Sequence, residues 1–489
     1  MKEKDNKSRT STSQKQKQKE EQIKKNGNKE LAKVKYAFVL LFFLMIGYAI
    51  YFQEFRSRAI INSPYNVRLD SLADRIIRGQ ITDDAGNVLA RTRVEEDGTE
   101  TRVYPYGNLY AHVVGYDCYG KSGIESIENF NLLTSDAPIY EKVFRTLFNQ
   151  KNIGNNVITT LNTTLQQAAY DALGDEKGAV VVIDVETGKI LTMVSKPDFD
   201  PNTLLTDWED ITEGSEGILL NRVTQGAYTP GSVFKLVTTL AYLRENSNYT
   251  EYLYECEGEI AHAGVTIHCA KNRVHGKVDL YESFARSCNS SYCNIGLNLN
   301  FEKYKQTAQD LLFNKKLPCV FECTKSSFVL AADSTVAEIM MTSFGQGKTQ
   351  VSPYHMALIA AAIGNGGILM EPYVVDEVIN YKGSLVEKRM PKKYTSLMSS
   401  SEAGILKGLM QEVVESGTGA ALKNEVYTVA GKTGTAEYST DKEKVHSWFM
   451  GFTNVDNPEI AISVVVEGTD DDGVSAVSVA KKVFDAYYK

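Results

Sequence analysis

A chain of 489 residues with 43% hydrophobic and 23% charged residues is too long for one ordinary domain and has the composition of a folded globular protein. Its net charge of −8 is unevenly spread: residues 1–35 carry 12 Lys/Arg against 5 Asp/Glu, so the rest of the chain holds −15. A basic tail on an acidic body argues against nucleic-acid binding by the body.

Residues 1–33 are rich in Lys, Gln, Ser and Asn and nearly free of large apolar groups. Such a segment buries too little surface to offset its ordering entropy, so it is expected to be disordered. Tyr36 to Phe52 follows, 17 residues without a charge, close to the shortest stretch that crosses a bilayer. Tyr36 at one end and Tyr48, Tyr51 and Phe52 at the other suit the interfaces. The far flank lacks a small-x-small cleavage pattern, so the segment reads as an uncleaved anchor. The positive-inside rule then puts residues 1–35 in the cytoplasm and the chain after about residue 55 outside. The expected division is a basic tail at 1–35, a transmembrane anchor at 36–55, a smaller mixed pedestal at 56–155 and a main domain at 156–489.

In the pedestal, Gln80-Ile-Thr and Val88-Leu-Ala, joined through Asp84 to Asn87, read as a hairpin. Lys121-Ser-Gly-Ile-Glu125 opens a helix expected to run through Leu132. No group of nucleophile, base or ligands occurs there, and its expected role is to space the main domain from the membrane.

The main domain begins with a strand-like run at Val157 and a helix capped by Asn162 or Thr163. Gly178–Asp184 and Lys189–Val194 flank Val185-Glu-Thr-Gly188 as a second hairpin. A third pairs Ser447–Phe452 with Glu459–Val466, and Ser475 to Tyr488 has helical apolar spacing. Strands at both ends with helices between predict an α+β fold, one antiparallel sheet closed by its terminal segments and covered by helices. No internal repeat of 20–50 residues is present.

Seven cysteines stand at 118, 256, 269, 288, 293, 319 and 323. Cys256 with Cys269, or Cys319 with Cys323, could pair, and an odd count leaves at least one thiol free. A zinc site wants tighter Cys/His spacing, and His268-Cys269 with His275 matches poorly, so no metal is expected. No cofactor is expected either.

The chemistry sits in three short motifs in order: Ser232-Val-Phe-Lys235, Ser287-Cys-Asn289 and Lys432-Thr-Gly434. S-x-x-K alone decides nothing, since it recurs at Ser439 and Ser478. Only Ser232 follows Pro230-Gly231 and opens a helix, where the dipole favours negative charge. Three residues on, Lys235 shares its face. A serine hydroxyl needs a base to become a nucleophile, and a lysine with a depressed pKa can serve. Ser287-Cys-Asn289 is either a polar cluster making local backbone bonds or a proton relay at Ser287 with Asn289 binding a substrate amide. Lys432, Thr433 and Thr435 suit a carboxylate, and Gly434 would let a substrate backbone approach an edge strand. Gly431-Lys-Thr is not a phosphate-binding loop, because position 426 is Val where a Gly is needed. The expected oxyanion donors are the amides of Ser232 and Thr435.

These motifs are the signature shared by penicillin-binding proteins and class A β-lactamases. From the anchor to the C-terminus the chain resembles a class B penicillin-binding protein, a monofunctional D,D-transpeptidase of peptidoglycan synthesis. The resemblance also rests on Arg78-Gly-Gln-Ile-Thr-Asp83, Gly123-Ile-Glu125, Asn221 to Lys235, His275-Gly-Lys-Val-Asp-Leu280, Phe344-Gly-Gln-Gly347 and Lys432-Thr-Gly-Thr-Ala-Glu437. It implies the penicillin-binding transpeptidase fold, with Ser232 as nucleophile, Lys235 as base and Ser287 as the second motif's serine. It also implies substrate contacts from Asn289, Lys432, Thr433, Gly434 and Thr435. The implied partners are peptidoglycan stem peptides, β-lactam antibiotics that trap Ser232, and a separate membrane glycan polymerase. The middle residue of the second motif is Cys288 rather than Asp, at a position that varies in the family. Its compact pre-catalytic segment resembles the shorter subgroup tied to division or sporulation. The alternatives are a serine β-lactamase, a D,D-carboxypeptidase, and a non-catalytic β-lactam sensor or cell-wall scaffold.

Overall fold

Residues 3–56, 73–214, 216–437, 445–469 and 473–489 are described by the structure, a computed structural model. The chain divides into two units, 1–66 and 67–489, treated separately below.

The first unit is dominated by α1 (Glu3–Phe55). The sequence predicts disorder up to residue 33, and the structure is helical there instead. The reason is local: Lys, Gln and Glu are good helix formers, and the segment runs directly into an apolar helix despite the Asn26-Gly27-Asn28 stretch within it. Within α1, Leu31–Gln53 is long and apolar enough to cross a membrane. Its 23 residues extend about 35 Å at 1.5 Å per residue, which exceeds a bilayer core of roughly 30 Å.

After a two-residue strand, Ile76–Ile77, the second unit forms β1 (Ile81–Thr82), β2 (Val88–Val94) and β3 (Glu100–Val103), and continues through a 3-10 turn, three short helices and a two-residue strand, Asn152–Ile153, to β4 (Asn156–Thr159). The expected hairpin is present: Ile81 pairs with Ala90 and Thr82 with Val88. Asp83 closes its turn by accepting from the Ala85 and Asn87 amides at 3.0 and 2.7 Å. The helix expected through Leu132 breaks at Glu128 into Gly123–Ile127 and Asn129–Leu132. Beneath it lies a buried ion network. Glu125, fully buried, meets Arg78 at 2.5 Å and Arg102 at 2.7 Å.

Next come α2 (Thr163–Leu173), capped by Asn162, then β5 (Gly178–Asp184), β6 (Ile190–Lys196), α3 (Lys235–Glu245), α4 (Asn289–Asn298) and α5 (Pro353–Gly364). The chain ends with β7 (Val375–Ile379), β8 (Leu385–Lys388), α6 (Ser400–Glu415), β9 (Val429–Glu437), β10 (Val445–Thr453), β11 (Ile460–Thr469) and α7 (Ala476–Tyr487). The predicted central sheet has the order β9-β10-β11-β5-β6 with every pair antiparallel. Both its faces are buried, which explains why its strands read as unbroken apolar runs. Val181, Ile183, Trp448, Met450 and Phe452 face the wholly buried helix α5. Val180, Val182, Phe449, Val464 and Val466 face α2 and α7 through Leu165, Val479 and Phe484. The alternation within each strand is the period of two that a sheet imposes.

A second sheet has the order β8-β7-β4-β1-β2-β3. It joins pedestal strands to strands from beyond residue 370, so the region expected to end near 155 shares hydrogen bonds with the main domain. β4 pairs in parallel with β1 and antiparallel with β7.

Candidate active site

The site is built where the free edge of the central sheet meets the start of α3. Ser232 lies in a 3-10 turn, Gly231–Phe234, that feeds directly into α3. In such a turn residues three apart eclipse, so Lys235 stands directly beneath Ser232. Gly231 has φ +55, and a Cβ there would lie 2.4 Å from the Thr435 carbonyl oxygen. Only glycine allows this backbone angle and this approach. The Gly231 N–H donates to the Gly345 carbonyl at 2.9 Å, so the Phe344-Gly-Gln-Gly347 stretch braces the turn from behind.

All three motifs converge on one hydroxyl. Lys235, fully buried, donates to the Ser287 carbonyl at 2.6 Å, to Ser287 Oγ at 3.1 Å and to Asn289 Oδ1 at 2.8 Å. Lys432, also fully buried, donates to the same Ser287 Oγ at 3.1 Å and to the Thr433 carbonyl at 3.0 Å. Ser287 is held at φ 55, a left-handed conformation unusual for a residue with a side chain. Among the described residues Lys235 makes no hydrogen bond to Ser232 Oγ. A lysine that loses its proton loses a reason to stay on three acceptors, and apo catalytic contacts commonly tighten only with substrate.

Two ammonium groups sharing one buried oxygen cannot both hold their protons comfortably. Burial lowers the Lys235 ammonium to about 8. Burial, followed by the charge on Lys235, pushes Lys432 well below the usual lysine range. A buried lysine that is partly neutral near pH 8 is able to take a proton from a serine.

The outer wall is the edge strand β9. Thr433 Oγ1 bonds Thr418 Oγ1. The Gln346 side-chain amide, oriented to match donors with acceptors, bonds the Glu437 carbonyl and N–H at 3.3 and 3.2 Å. Glu437 therefore points its backbone groups away from β10. Because such groups alternate along an antiparallel strand without a register shift, Thr435 and Thr433 also present theirs to the open edge. A ligand can add there as a further strand, with the Thr435 N–H aimed at it.

Gly434 also has a packing reason. A Cβ there would meet Trp448 Cβ at 3.0 Å and Pro230 O and Val233 Cγ1 at 3.1 Å. It lets β9 pack closely against the Ser232 turn. Asn289 Nδ2 donates to the His268 carbonyl at 3.1 Å. The supporting positions Gly345, Gln346, Thr418 and His268 were not picked out as site residues from sequence; the Phe344–Gly347 resemblance was the one signal for the first two. Of the other S-x-x-K serines, Ser478 bonds its own helix start through the Ser475 carbonyl, and Ser439 lies outside the described residues.

All seven cysteines are free thiols. Cys256 and Cys269 sit 3.7 Å apart, sulfur to sulfur, not bonded. The Cys and His side chains weighed in the sequence do not all come together. His268 faces Glu259 at 3.1 Å on the surface, whereas Cys256, Cys269, His275 and Cys288 are brought together from four segments.

Comparison with known proteins places the chain in a family. The family profile described as "Penicillin binding protein transpeptidase domain" matches residues 178–486, and "Penicillin binding protein A dimerisation domain" matches residues 78–157. The chain is 32% identical to the peptidoglycan D,D-transpeptidase PbpA of Mycolicibacterium smegmatis, over 91% of this chain and 94% of that protein. It is 28% identical to the peptidoglycan D,D-transpeptidase MrdA of Acinetobacter baumannii, over 79% and 66% respectively. Among solved structures, the ceftriaxone acyl-enzyme complex of penicillin-binding protein A from M. tuberculosis superposes with a TM-score of 0.78. It is 28% identical and covers 86% of this chain and 100% of that one. The D,D-transpeptidase domain of a peptidoglycan glycosyltransferase from Eggerthella lenta gives 0.77 at 31% identity, covering 84% and 98%. The chain belongs to the penicillin-binding protein transpeptidase family.

Proposed function

We propose that this protein is a membrane-anchored D,D-transpeptidase that crosslinks peptidoglycan stem peptides through an ester on Ser232. The observation that carries this reading is the meeting of Lys235 and Lys432 on Ser287 Oγ, 3.1 Å from each, beside an open sheet edge. An extended stem peptide pairs with β9, and its terminal carboxylate faces Lys432, Thr433 and Thr435. That carboxylate restores the charge on Lys432, and the repulsion then favours a neutral Lys235. Neutral Lys235 takes the Ser232 proton as Oγ attacks the penultimate D-Ala carbonyl. The negative oxygen is met by the Ser232 and Thr435 amides. The proton passes by way of Ser287 to the departing D-Ala nitrogen, the C–N bond breaks, and an ester remains. The amine of a second stem peptide then attacks the ester, and the same groups return the proton to Ser232.

A β-lactam follows the first half of this path. Its amide opens on Ser232, but the leaving nitrogen stays tethered and blocks the acceptor. The chain itself carries a dimerisation-type pedestal at 78–157 ahead of the transpeptidase region, and glycan polymerisation is assigned to a separate membrane protein. The helix Leu31–Gln53 is the anchor, the basic residues before it stay in the cytoplasm, and the site faces outward. A crosslinking assay supplies the test. The purified full chain with lipid-linked stem-peptide glycan and a polymerase should release D-Ala and form dimeric peptides in equal amounts. D-Ala release without dimers would make it a carboxypeptidase.

A further inference from the structure

Four metal-binding side chains meet immediately behind the second motif. Cys256 ends the strand Tyr254–Cys256, and Cys269 follows the hairpin strand Val265–His268. His275 precedes the strand Gly276–Val278, and Cys288 caps α4. One donor atom from each lies within 4.8 Å of all the others. Cys269 Sγ is 3.7 Å from Cys256 Sγ and 3.8 Å from Cys288 Sγ, and His275 Nδ1 is 3.3 Å from Cys256 Sγ.

Those separations suit a tetrahedron. Zinc–sulfur bonds of about 2.3 Å and zinc–nitrogen bonds of about 2.0 Å give edges of roughly 3.8 Å between sulfurs and roughly 3.5 Å from sulfur to nitrogen. Three buried thiols alone could pack as small apolar side chains. A ring nitrogen turned to complete the fourth vertex points instead to a metal. The surroundings also supply donors to thiolate sulfur. Ser290 Oγ donates to Cys256 Sγ at 3.1 Å and lies 3.5 and 3.3 Å from the sulfurs of Cys269 and Cys288. The Ser291 N–H donates to Cys288 Sγ at 3.4 Å. Groups of this kind orient and stabilise bound thiolates.

We propose that Cys256, Cys269, His275 and Cys288 bind one zinc ion, and that the ion positions Ser287 and Asn289 by fixing the peptide between them. Binding releases three thiol protons to solvent and leaves a closed four-coordinate site with no position for water, so the metal is structural. The linkage to the reaction is short. Cys288 is the middle residue of Ser287-Cys-Asn289, and Ser287 is held at an unfavourable φ of 55. Asn289 is tied to the carbonyl of His268, the neighbour of Cys269. The ion therefore holds the hairpin Glu259–His262/Val265–His268 and the start of α4 as one piece, with the two motif side chains at its rim. The positioning half rests on the transpeptidase reading; the metal half does not.

The test uses the full chain in detergent, purified under reducing conditions, beside Cys256→Ser and His275→Ala. Elemental analysis should find one zinc per wild-type chain and less than a tenth of that in either variant. Cobalt(II) added to metal-stripped wild type should give sulfur-to-cobalt charge transfer and the intense visible bands of a tetrahedral ion. Stripping should slow penicillin acylation of Ser232 at least tenfold, and zinc should restore it in wild type but not in Cys256→Ser. Absence of bound zinc together with a featureless cobalt spectrum overturns the site, whatever the variants do. So does a Cys256–Cys269 disulfide in the intact chain. One zinc per chain with unchanged acylation after stripping overturns the positioning role. One zinc per chain without acylation in any form upholds the metal site and removes the transpeptidase reading instead.

Discussion

At the scale of single residues, the Ser287 hydroxyl is the pivot. An oxygen that accepts from two lysines uses both lone pairs, and its single proton stays free to be passed on. Ser287→Ala should therefore slow penicillin acylation by about 100-fold, within the usual range for a lost proton-transfer group, while non-covalent binding changes only a few-fold. Stopped-flow acylation kinetics separate the two, and an unchanged acylation constant would remove the relay role. Lys235 gives a second prediction. With its ammonium lowered to about 8, the base form is scarce at pH 6. The acylation constant should rise about tenfold from pH 6 to 7 and level off above about pH 8, the sign expected for a base that must be neutral. A profile falling over that range would assign the base elsewhere.

At the scale of elements, the site depends on how closely β9 and the Ser232 turn approach. Gly231→Ala forces a side chain into the left-handed region, at a cost of about 1–3 kcal/mol, and drives its Cβ against Thr435. We expect a lower melting temperature and a marked loss of acylation; a variant that acylates like wild type would show that the two elements can part freely. The local elements were largely legible because local rules made them. Asn162 caps α2, Asp83 closes the first hairpin, and alternating burial marks the central strands. The three motifs were legible because each is short and carries its chemistry within four residues. What sequence could not give is what tertiary approach decides. The role of Gly434 depends on Trp448 and Pro230, and the partner of Gln346 lies 91 positions along the chain, at Glu437. The tail differs for another reason: its composition forbids a core but not a helix continued from an apolar one.

At the scale of the whole second unit, the pedestal is joined to the main domain by hydrogen bonds between β1 and β4. Its own core is pinned by Glu125 between Arg78 and Arg102. Burial opposes charge on Arg102 and on Glu125, but the ion pairs outweigh it, so the arginine shifts up and the carboxyl down. Removing the carboxylate strands two buried guanidinium groups. Glu125→Ala should destabilise the fold by about 3–5 kcal/mol, read as an earlier denaturant midpoint, with acylation in the surviving folded fraction little changed. A midpoint equal to wild type would mean that the network carries no weight.

The central claim is that Ser232 forms a lasting ester. The most direct measurement is intact mass of the full chain after incubation with penicillin, beside Ser232→Ala. The account predicts one drug mass added to the wild type, stable over the experiment, and none to the variant. Rapid penicillin turnover without an adduct, or an adduct that survives in Ser232→Ala, would contradict it.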